Sequence, residues 1–397
     1  MKKFLSLFLP LVVLVACSGN KEKTWDVVVA NPTDDDQTDR PVVVNLGDEL
    51  SSKFRLASAV VMRGDEEIPC QWDDLDDDGR ADELVFTATL KAGATDTFHI
   101  TCRNYGEQTA YTPRVRAFLK LWDQKFQYPE ITSITFKGSA PALDTYNAIY
   151  GHGAQWESEL VGFRVYMDHR QSIDIYGKPY PQLVLDETHF YSTREDIAAG
   201  KGCDILFAGQ SVGAASFRGY VEEQPTYVDS VRTRGQRIIA DGPVRCIVEV
   251  TDQDWAYQGH LLQMRQRYTL YAGHRDVQVD IDLMGETDDD LFCTGVQKLE
   301  FQNEGFITTD DAGALGASWG VNIPDKAAED LEEGVGLAVF VPSCYVEAVR
   351  EDALNYLCVL RPVGHHITYR LAICAAMEQE GFHASGTWFD WVRLCWK

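Results

Sequence analysis

The sequence predicts an all-β protein, in which a small N-terminal β-sandwich is followed by a large antiparallel β-sandwich. Short runs rich in β-branched residues recur along the chain between turn residues, a pattern typical of antiparallel strands. Longer runs alternate apolar and polar side chains, and the segment from Val277 to Leu283 is the cleanest of these. Helical patterns are confined to two short segments, 194–199 and 325–332.

Composition supports a folded protein and excludes some partners. The chain has 397 residues, of which 45% are hydrophobic and 24% are charged, as in ordinary globular proteins. This length fits two domains, or one large all-β domain with an appendage. The net charge of -25 argues against nucleic acid and against electrostatic docking to anionic lipid. An acidic sugar stays open as a ligand, because a small basic pocket can lie within an acidic surface.

The first 17 residues have the features of a bacterial lipoprotein signal peptide. Lys2 and Lys3 precede a mostly apolar stretch from Phe4 to Ala16, which is too short to span a bilayer. The stretch ends in Leu14-Val15-Ala16-Cys17, which resembles a lipobox, so Cys17 is the predicted lipid anchor. We therefore expect a protein of the bacterial cell envelope, facing the periplasm or the cell surface, that contacts the membrane through its lipid only. The alternative is an ordinary signal peptide with an accidental cysteine.

The remaining chain divides into two predicted domains. Residues 24–105 form the small sandwich, residues 114–397 form the large one, and a polar and aromatic segment, 103–113, separates them. The predicted strands of the small sandwich are Val27 to Ala30, Pro41 to Leu46, Ala59 to Met62, Leu84 to Leu90 and Thr97 to Cys102. In the large domain, alternation predicts strands at 163–168, 173–176, 244–250 and 277–283.

Nine cysteines follow Cys17, and none of them has CxxC spacing. A structural zinc site is therefore not expected, and most of these thiols are predicted to be buried and reduced. Cys70 and Cys102 remain candidates for a disulfide in an exported compartment.

An acidic segment predicts a structural calcium loop. Asp74, Asp76 and Asp78 alternate before Gly79, and Asp82 follows where a further ligand would lie. Calcium prefers several oxygen ligands, and the glycine permits the tight turn that wraps them around the ion. The bidentate glutamate of an EF-hand is missing, so the expected site is a shorter hairpin loop. The alternative interpretation is a solvated acidic turn.

A second cluster predicts a sugar site. The segment 150–159 contains His152, Trp156 and Glu157, and the following strand pair carries Arg164, Tyr166, Asp174 and Lys178, with His189 further on. Side chains of equal parity share one face of a strand. Such groups hydrogen-bond sugar hydroxyls, neutralise a uronate carboxylate and move protons. The alternative is a polar outer face of a sheet without a ligand.

A literal GxSxG motif occurs at Gly209-Gln210-Ser211-Val212-Gly213. A nucleophile elbow requires a strand, a sharp turn and a helix, and the residues after this motif are extended instead. We therefore do not expect a serine hydrolase.

The motifs Trp156-Glu157-Ser158-Glu159, Arg164-Val165-Tyr166 and Ile173-Asp174-Ile175-Tyr176-Gly177-Lys178 resemble the domain of unknown function 4861 family. The stretches 209–213 and 268–283 are similar as well, so the resemblance covers most of the chain. It implies a bacterial lipoprotein or secreted protein associated with pectin and uronate degradation. The large domain also resembles galactose-mutarotase-like β-supersandwiches, a fold shared by lyases, epimerases and hydrolases.

These observations predict a lipoprotein that processes oligosaccharides containing uronic acid, by β-elimination. Arg164 would neutralise the carboxylate, while His152 or Tyr166 would move the proton. A glycoside hydrolase would instead use Glu157 and Asp174 as its two carboxylates. The alternative is a non-catalytic glycan-binding lipoprotein in which Trp156 stacks on a sugar ring. The expected binding residues are Trp156, Lys178 and His189.

Overall fold

The computed structural model describes residues 19–122, 125, 127–138, 145–287, 289–322 and 333–396. The signal segment 1–17 with its Cys17 anchor, and the predicted helix 325–332, lie outside these residues. In the described part of the chain, the strands form five sheets in which the paired strands are antiparallel, so the all-β prediction is confirmed. None of the described helices has the length and apolar character needed to cross a bilayer.

Seven strands between residues 22 and 103 form two small sheets. The strands are β1 (Glu22–Ala30), β2 (Gln37–Asn45), β3 (Ser58–Arg63), β4 (Glu66–Ile68), β5 (Cys70–Asp73), β6 (Glu83–Leu90) and β7 (Thr95–Arg103). One sheet has the order β1-β7-β3-β4 and the other has the order β2-β6-β5. Their facing side chains, including Phe86, Phe98 and Ile100, make a core of their own. A four-residue helix, α1 (Leu46–Glu49), follows β2.

The rest of the chain forms three larger sheets around one extended core. Its strands are β8 (Val115–Leu121), β9 (Glu130–Ile131), β10 (Ser133–Lys137), β11 (Ile149–Ser158), β12 (Val161–Tyr166), β13 (Ile173–Gly177), β14 (Cys203–Asp204), β15 (Arg218–Val221), β16 (Gln224–Thr226), β17 (Thr233–Asp241), β18 (Arg245–Tyr257), β19 (His260–Tyr271), β20 (Asp276–Met284), β21 (Phe292–Gln297), β22 (Phe301–Thr309), β23 (Gly313–Asn322), β24 (Glu333–Pro342), β25 (Val346–Glu351), β26 (Asn355–Leu360) and β27 (His366–Ala375). The helices are α2 (Thr145–Ala148), α3 (Leu185–Thr188), α4 (Arg194–Ala198) and α5 (Ser385–Cys395), with a 3-10 turn at Ser343–Tyr345.

The nine-stranded sheet has the order β10-β17-β18-β19-β20-β27-β24-β23-β22. The six-stranded sheet, β14-β13-β12-β11-β8-β9, and the five-stranded sheet, β16-β15-β21-β26-β25, complete the larger part. Trp156 of the six-stranded sheet packs against Tyr268 of the nine-stranded sheet, with ring centroids 5.3 Å apart. The six-stranded sheet therefore has one face in the core and an outer face that is free to carry other groups.

A buried polar contact joins the small sandwich to the larger part. The side chain of Gln71 in β5 accepts hydrogen bonds from the backbone N–H groups of Val244 (2.8 Å) and Arg245 (2.7 Å). The guanidinium of Arg245 in turn donates to Asp73 at 2.9 Å and to Glu83 at 2.7 Å. Because this arginine is almost fully buried, its charge is balanced by carboxylates from the other sandwich.

The segment after β13 covers part of the outer face of the six-stranded sheet. Val184, Leu185 and Phe190 pack there on Phe118 and Tyr176, making a small apolar layer. The alternating sequence pattern predicts a polar outer face for this sheet, but a loop and α3 cover part of that face. This covering decides which of the predicted site residues contact solvent.

Seven of the nine cysteines after Cys17 are buried, and Cys70 and Cys102, the candidates for a disulfide, are both free thiols. Cys70 contacts the carbonyl oxygen of Ala59 at 3.6 Å. Burial raises the pKa of the Cys70 thiol to about 11 and that of Cys102 to about 12. A buried thiol that stays protonated is unreactive and packs as a small apolar side chain.

Candidate functional site

Four neighbouring strands place one side chain each in a straight row on the outer face of the six-stranded sheet. Phe118 in β8 is paired with Gln155 in β11, which is paired with Arg164 in β12. Arg164 is in turn paired with Asp174 in β13. Directly opposed side chains on antiparallel strands lie about 5 Å apart at Cβ. We call these four residues the outer row.

The outer row ends in a network of charge and hydrogen bonds. The Arg164 guanidinium donates to Asp174 and, at 3.0 Å, to the hydroxyl of Tyr166. The Tyr166 hydroxyl donates to Asp174 Oδ2 at 2.6 Å, and Asp204 lies 3.4 Å from Arg164. Burial and the neighbouring Asp174 raise the pKa of Tyr166, so its phenol stays protonated.

Aromatic rings surround the Arg164 guanidinium. It lies 4.5 Å from the ring centroid of Phe190, 4.9 Å from that of Tyr166 and 5.5 Å from that of Tyr191. Such contacts are favourable because the face of an aromatic ring is electronegative. Arg170 approaches the Tyr166 ring as well, at 4.9 Å. The result is a cation held rigidly in place under an aromatic cover.

Five rings gather beside this cover and reach solvent. Tyr128 stacks on Tyr150 with centroids 3.7 Å apart, and Trp122 lies 5.6 Å from Tyr150. His189 and Tyr191 meet the same Tyr150 ring edge-on, at 5.0 and 6.2 Å. Trp122 is 51% exposed and Tyr191 is 38% exposed, so rings of this group remain open to a ligand. We call these five residues the aromatic cluster.

An irregular stretch of β11 carries His152 to the cluster. The register between β8 and β11 shifts between Tyr150 and Gln155, and Gly151 and His152 both have positive φ, of 75° and 65°. A side chain is disfavoured in this backbone region, and non-glycine residues there are frequent at functional sites. The imidazole lies 6.2 Å from the Tyr166 ring and 6.1 Å from that of Tyr191.

A second irregular stretch places His189. Its φ is 49° and that of Phe190 is 68°, so two consecutive side chains occupy left-handed backbone after α3. The His189 ring meets Phe118 of the outer row at 6.0 Å. Burial and the nearby Lys120 lower the pKa of His189 to about 4, so its imidazole is neutral at pH 7.

The structure thus brings together His152, Arg164, Tyr166, Asp174 and His189 among the predicted site residues. Asp174 changes the role that was predicted for Arg164. Arg164 is only 3% exposed and already pairs with this carboxylate, so it is not poised to neutralise the carboxylate of a uronate. Asp168, two residues after Tyr166, lies past the end of β12 and accepts a hydrogen bond from Arg170.

Three other predicted site residues are structural. Glu157 and Lys178 form an ion pair with both side chains almost fully buried, and Glu157 also accepts the N–H groups of Val184 (3.0 Å) and Leu185 (2.8 Å). Glu157 therefore anchors the covering segment, and its carboxylate is buried and already paired. Trp156 is fully buried between Phe163 and Tyr268, so the prediction that it stacks on a sugar is wrong.

Ser211 of the GxSxG motif is a turn residue. Its hydroxyl is buried and donates within the loop to the carbonyl of Ala208 at 2.6 Å, and it lies 2.8 Å from Gln297 Oε1. A nucleophile elbow requires a helix directly after the motif, and none of the described helices begins there.

The acidic loop is built as a set of side-chain-capped turns. Carboxylate oxygens of Asp74, Asp76 and Asp78 lie within 4.8 Å of one another, a spacing that fits a hard cation. Asp82 is not part of this group, and it accepts a hydrogen bond from the N–H of Leu75 at 2.6 Å. Asp74 accepts from the N–H groups of Asp77 (2.7 Å), Asp78 (3.1 Å) and Gly79 (2.7 Å). Three of the four predicted ligands are thus together, and the fourth holds the loop.

Sequence reasoning missed several members of the site. Gln155 sits in the centre of the outer row, although nothing in the segment 150–159 distinguished it from its neighbours. Trp122 and Tyr128 precede the predicted segment by more than twenty residues, and only the pairing of β8 with β11 brings them close. Tyr191 had one available signal, the polar and aromatic run that also contains His189.

Comparison with known proteins assigns the family. The model of the family "Domain of unknown function (DUF4861)" matches residues 29–397, so the chain belongs to this family. No curated protein matches the chain. Among solved structures, it is similar to a protein in glycosyl hydrolase family 38 from Enterococcus faecalis, at 10% identity and a TM-score of 0.46, over 88% of this chain and 44% of that one. It is also similar to an alpha-mannosidase from Enterococcus faecalis V583, at 10% identity and a TM-score of 0.37, over 89% of this chain and 43% of that one. The chain thus spans less than half the length of either protein.

Proposed function

We propose that this member of the DUF4861 family is an envelope lipoprotein that binds an oligosaccharide at the aromatic cluster and processes it there. One observation carries the proposal: solvent-exposed rings lie directly beside a buried arginine, tyrosine and aspartate network. A sugar has C–H groups that pack on the electronegative face of a ring, and hydroxyl groups that require hydrogen-bond partners. The cluster supplies the first kind of contact and the network supplies the second.

The binding experiment uses the purified protein and a panel of neutral and uronic-acid oligosaccharides, with affinity measured by calorimetry. Replacing Trp122 or Tyr191 with Ala is expected to weaken binding at least about fivefold, since an aromatic contact contributes about 1 kcal/mol or more. Phe301→Ala is the matched control, because Phe301 is 44% exposed and belongs to β22, in another sheet. Unchanged affinity in the Trp122 and Tyr191 variants would remove the aromatic cluster as the binding site.

Acid–base processing at the same place is the finer part of the proposal, and the strained backbone at His152 favours it. His152 would take the proton from the carbon next to the uronate carboxylate, and the bond from the neighbouring carbon to the leaving oxygen would break as the C=C bond forms. Tyr166, which is protonated at rest, would give its proton to that leaving oxygen. This arrangement suits an elimination better than a two-carboxylate hydrolysis, since Glu157 is occupied by Lys178. In an elimination on a uronate, Arg164 would stabilise the carboxylate only weakly, because its charge is already paired with Asp174.

Turnover is tested by incubating the protein with the same panel and following products by mass spectrometry and by the absorbance of unsaturated sugars. His152→Ala is expected to abolish turnover while the affinity changes little. Binding without any product from the wild-type protein would leave a glycan-binding lipoprotein as the function.

A further inference from the structure

Five unpartnered polar atoms lie together under the aromatic cluster. Among the described residues, eleven buried side-chain nitrogen or oxygen atoms make no hydrogen bond. Five of these belong to Gln155 (both amide atoms), Arg164 (Nε and Nη1) and His189 (Nδ1). Because most buried polar atoms in proteins are hydrogen-bonded, a concentration of exceptions requires an explanation.

The residues that carry the five atoms are neighbours on the outer face of the six-stranded sheet. Gln155 is cross-strand neighbour to both Arg164 and Phe118, and His189 packs on Phe118. Gln155 is completely buried, and its Nε2 lies 2.1 Å from the position that a Cβ on Gly151 would occupy. The absence of a side chain at Gly151 therefore lets the backbone lie directly against the Gln155 amide and cover it.

The chemistry of these atoms suits a hydroxyl group. Gln155 Nε2 and the two Arg164 nitrogens are donors, Gln155 Oε1 is an acceptor, and a neutral His189 offers either role according to its tautomer. A hydroxyl both donates and accepts, whereas a carboxylate only accepts. Asp174 and Asp204 already offset the Arg164 charge, so little attraction remains for a second anion.

We infer that the outer row and His189 form a subsite for the hydroxyl groups of a neutral sugar residue. This inference rests on the proposed function, because the sugar reaches the subsite from the aromatic cluster. Two short stretches cover the row, Gly151 with His152 and His189 with Phe190, and all four residues have positive φ. Glycine adopts positive φ without strain, but the backbone of the three non-glycine residues is strained, and such strain is common at ligand-binding sites.

The test replaces Gln155 with Met, which keeps the length of the side chain and removes both unpartnered atoms. Without ligand, Gln155→Met is expected to raise the melting temperature by about 2 °C, because the wild-type amide is buried at a cost without a partner. Gln236→Met is the matched control: Gln236 is equally buried, but its amide accepts from Ala154 N (2.8 Å) and donates to Val165 O (3.1 Å). That variant is expected to lower the melting temperature.

Binding supplies the second readout, with galactobiose, mannobiose and digalacturonate as probes. Each disaccharide is expected to bind the Gln155→Met variant more weakly than the wild type. The loss of affinity is expected to be at least tenfold for the neutral disaccharides and smaller for digalacturonate. Equal binding by wild type and Gln155→Met, a lower melting temperature in that variant, or a loss of affinity for digalacturonate as large as that for the neutral disaccharides each overturns the inference. If no sugar binds the wild type, the proposed function fails as well. If a sugar binds through Trp122 but ignores Gln155, only the inference fails.

Discussion

Replacing Glu157 with Gln tests whether this carboxylate is structural or catalytic. Lys178 Nζ is fully buried and donates to Glu157, to the carbonyl of Ser158 at 2.6 Å and to that of Gln182 at 2.8 Å. The variant keeps the size of the side chain and removes its charge, so the lysine ammonium loses its counter-ion inside the protein. Burial lowers the pKa of Lys178 and the Glu157 carboxylate opposes this shift, so removing the carboxylate is expected to lower the lysine pKa further.

The magnitude follows from the burial of both partners. Removing one member of a buried ion pair costs about 3–5 kcal/mol, because an uncompensated charge remains. Glu157→Gln additionally weakens the acceptor of the Val184 and Leu185 N–H groups, so the upper half of this range is expected. The double variant Glu157→Gln with Lys178→Met removes both charges and is expected to recover at least about 2 kcal/mol.

Urea denaturation of the wild type, both single variants and the double variant measures the coupling energy. The matched control is Glu351→Gln, which removes an exposed carboxylate 2.7 Å from Lys298 and is expected to cost less than about 1 kcal/mol. Additive effects of the two buried substitutions would refute the ion-pair reasoning. A stable Glu157→Gln variant that binds sugar but has lost turnover would show instead that Glu157 is catalytic.

Three further predictions concern stability. The pKa of His189 is about 4 in the fold and near 6.5 when unfolded, so stability from its neutral form is complete above pH 6.5 and is lost as the pH falls towards 4. Asn tolerates positive φ and does not titrate, so the melting temperature of His189→Asn is expected to vary less with pH over this range than that of the wild type. An equal variation of the two melting temperatures with pH would contradict this. Calcium is expected to raise the melting temperature of the wild type, since an ion bound only to the folded state stabilises it, and to leave that of Asp74→Asn unchanged. If the wild type melts at the same temperature in calcium and in chelator, the acidic loop is only a solvated turn. Gly151→Ala is expected to destabilise the protein by about 1–3 kcal/mol, because the φ of Gly151 is 75° and a Cβ there meets Gln155. Gly64→Ala is the control for the backbone effect alone, since Gly64 has a φ of 58° and open space around its Cβ position. Equal losses of stability in the two variants would show that the Gln155 contact is unimportant.

The fold class was accessible from the sequence because strand periodicity is a local property. The alternation at Val277 to Leu283 became β20 and that at 163–168 became β12, since one face of each strand packs in the core. The same reasoning placed Arg164 and Tyr166 on one face together. It succeeded for these residues because side-chain parity depends only on the backbone of one strand.

Local patterns did not reveal what covers a face. Trp156 and Glu157 are adjacent and point to opposite faces, yet both are enclosed, one by the nine-stranded sheet and the other by the segment carrying Val184. The aromatic cluster likewise depends on β8 lying beside β11, a pairing between distant parts of the chain. Sequence by itself thus determined the strands and the residue types of the site. Tertiary packing decided which of them face a ligand, because burial is set by contacts between segments far apart in the chain.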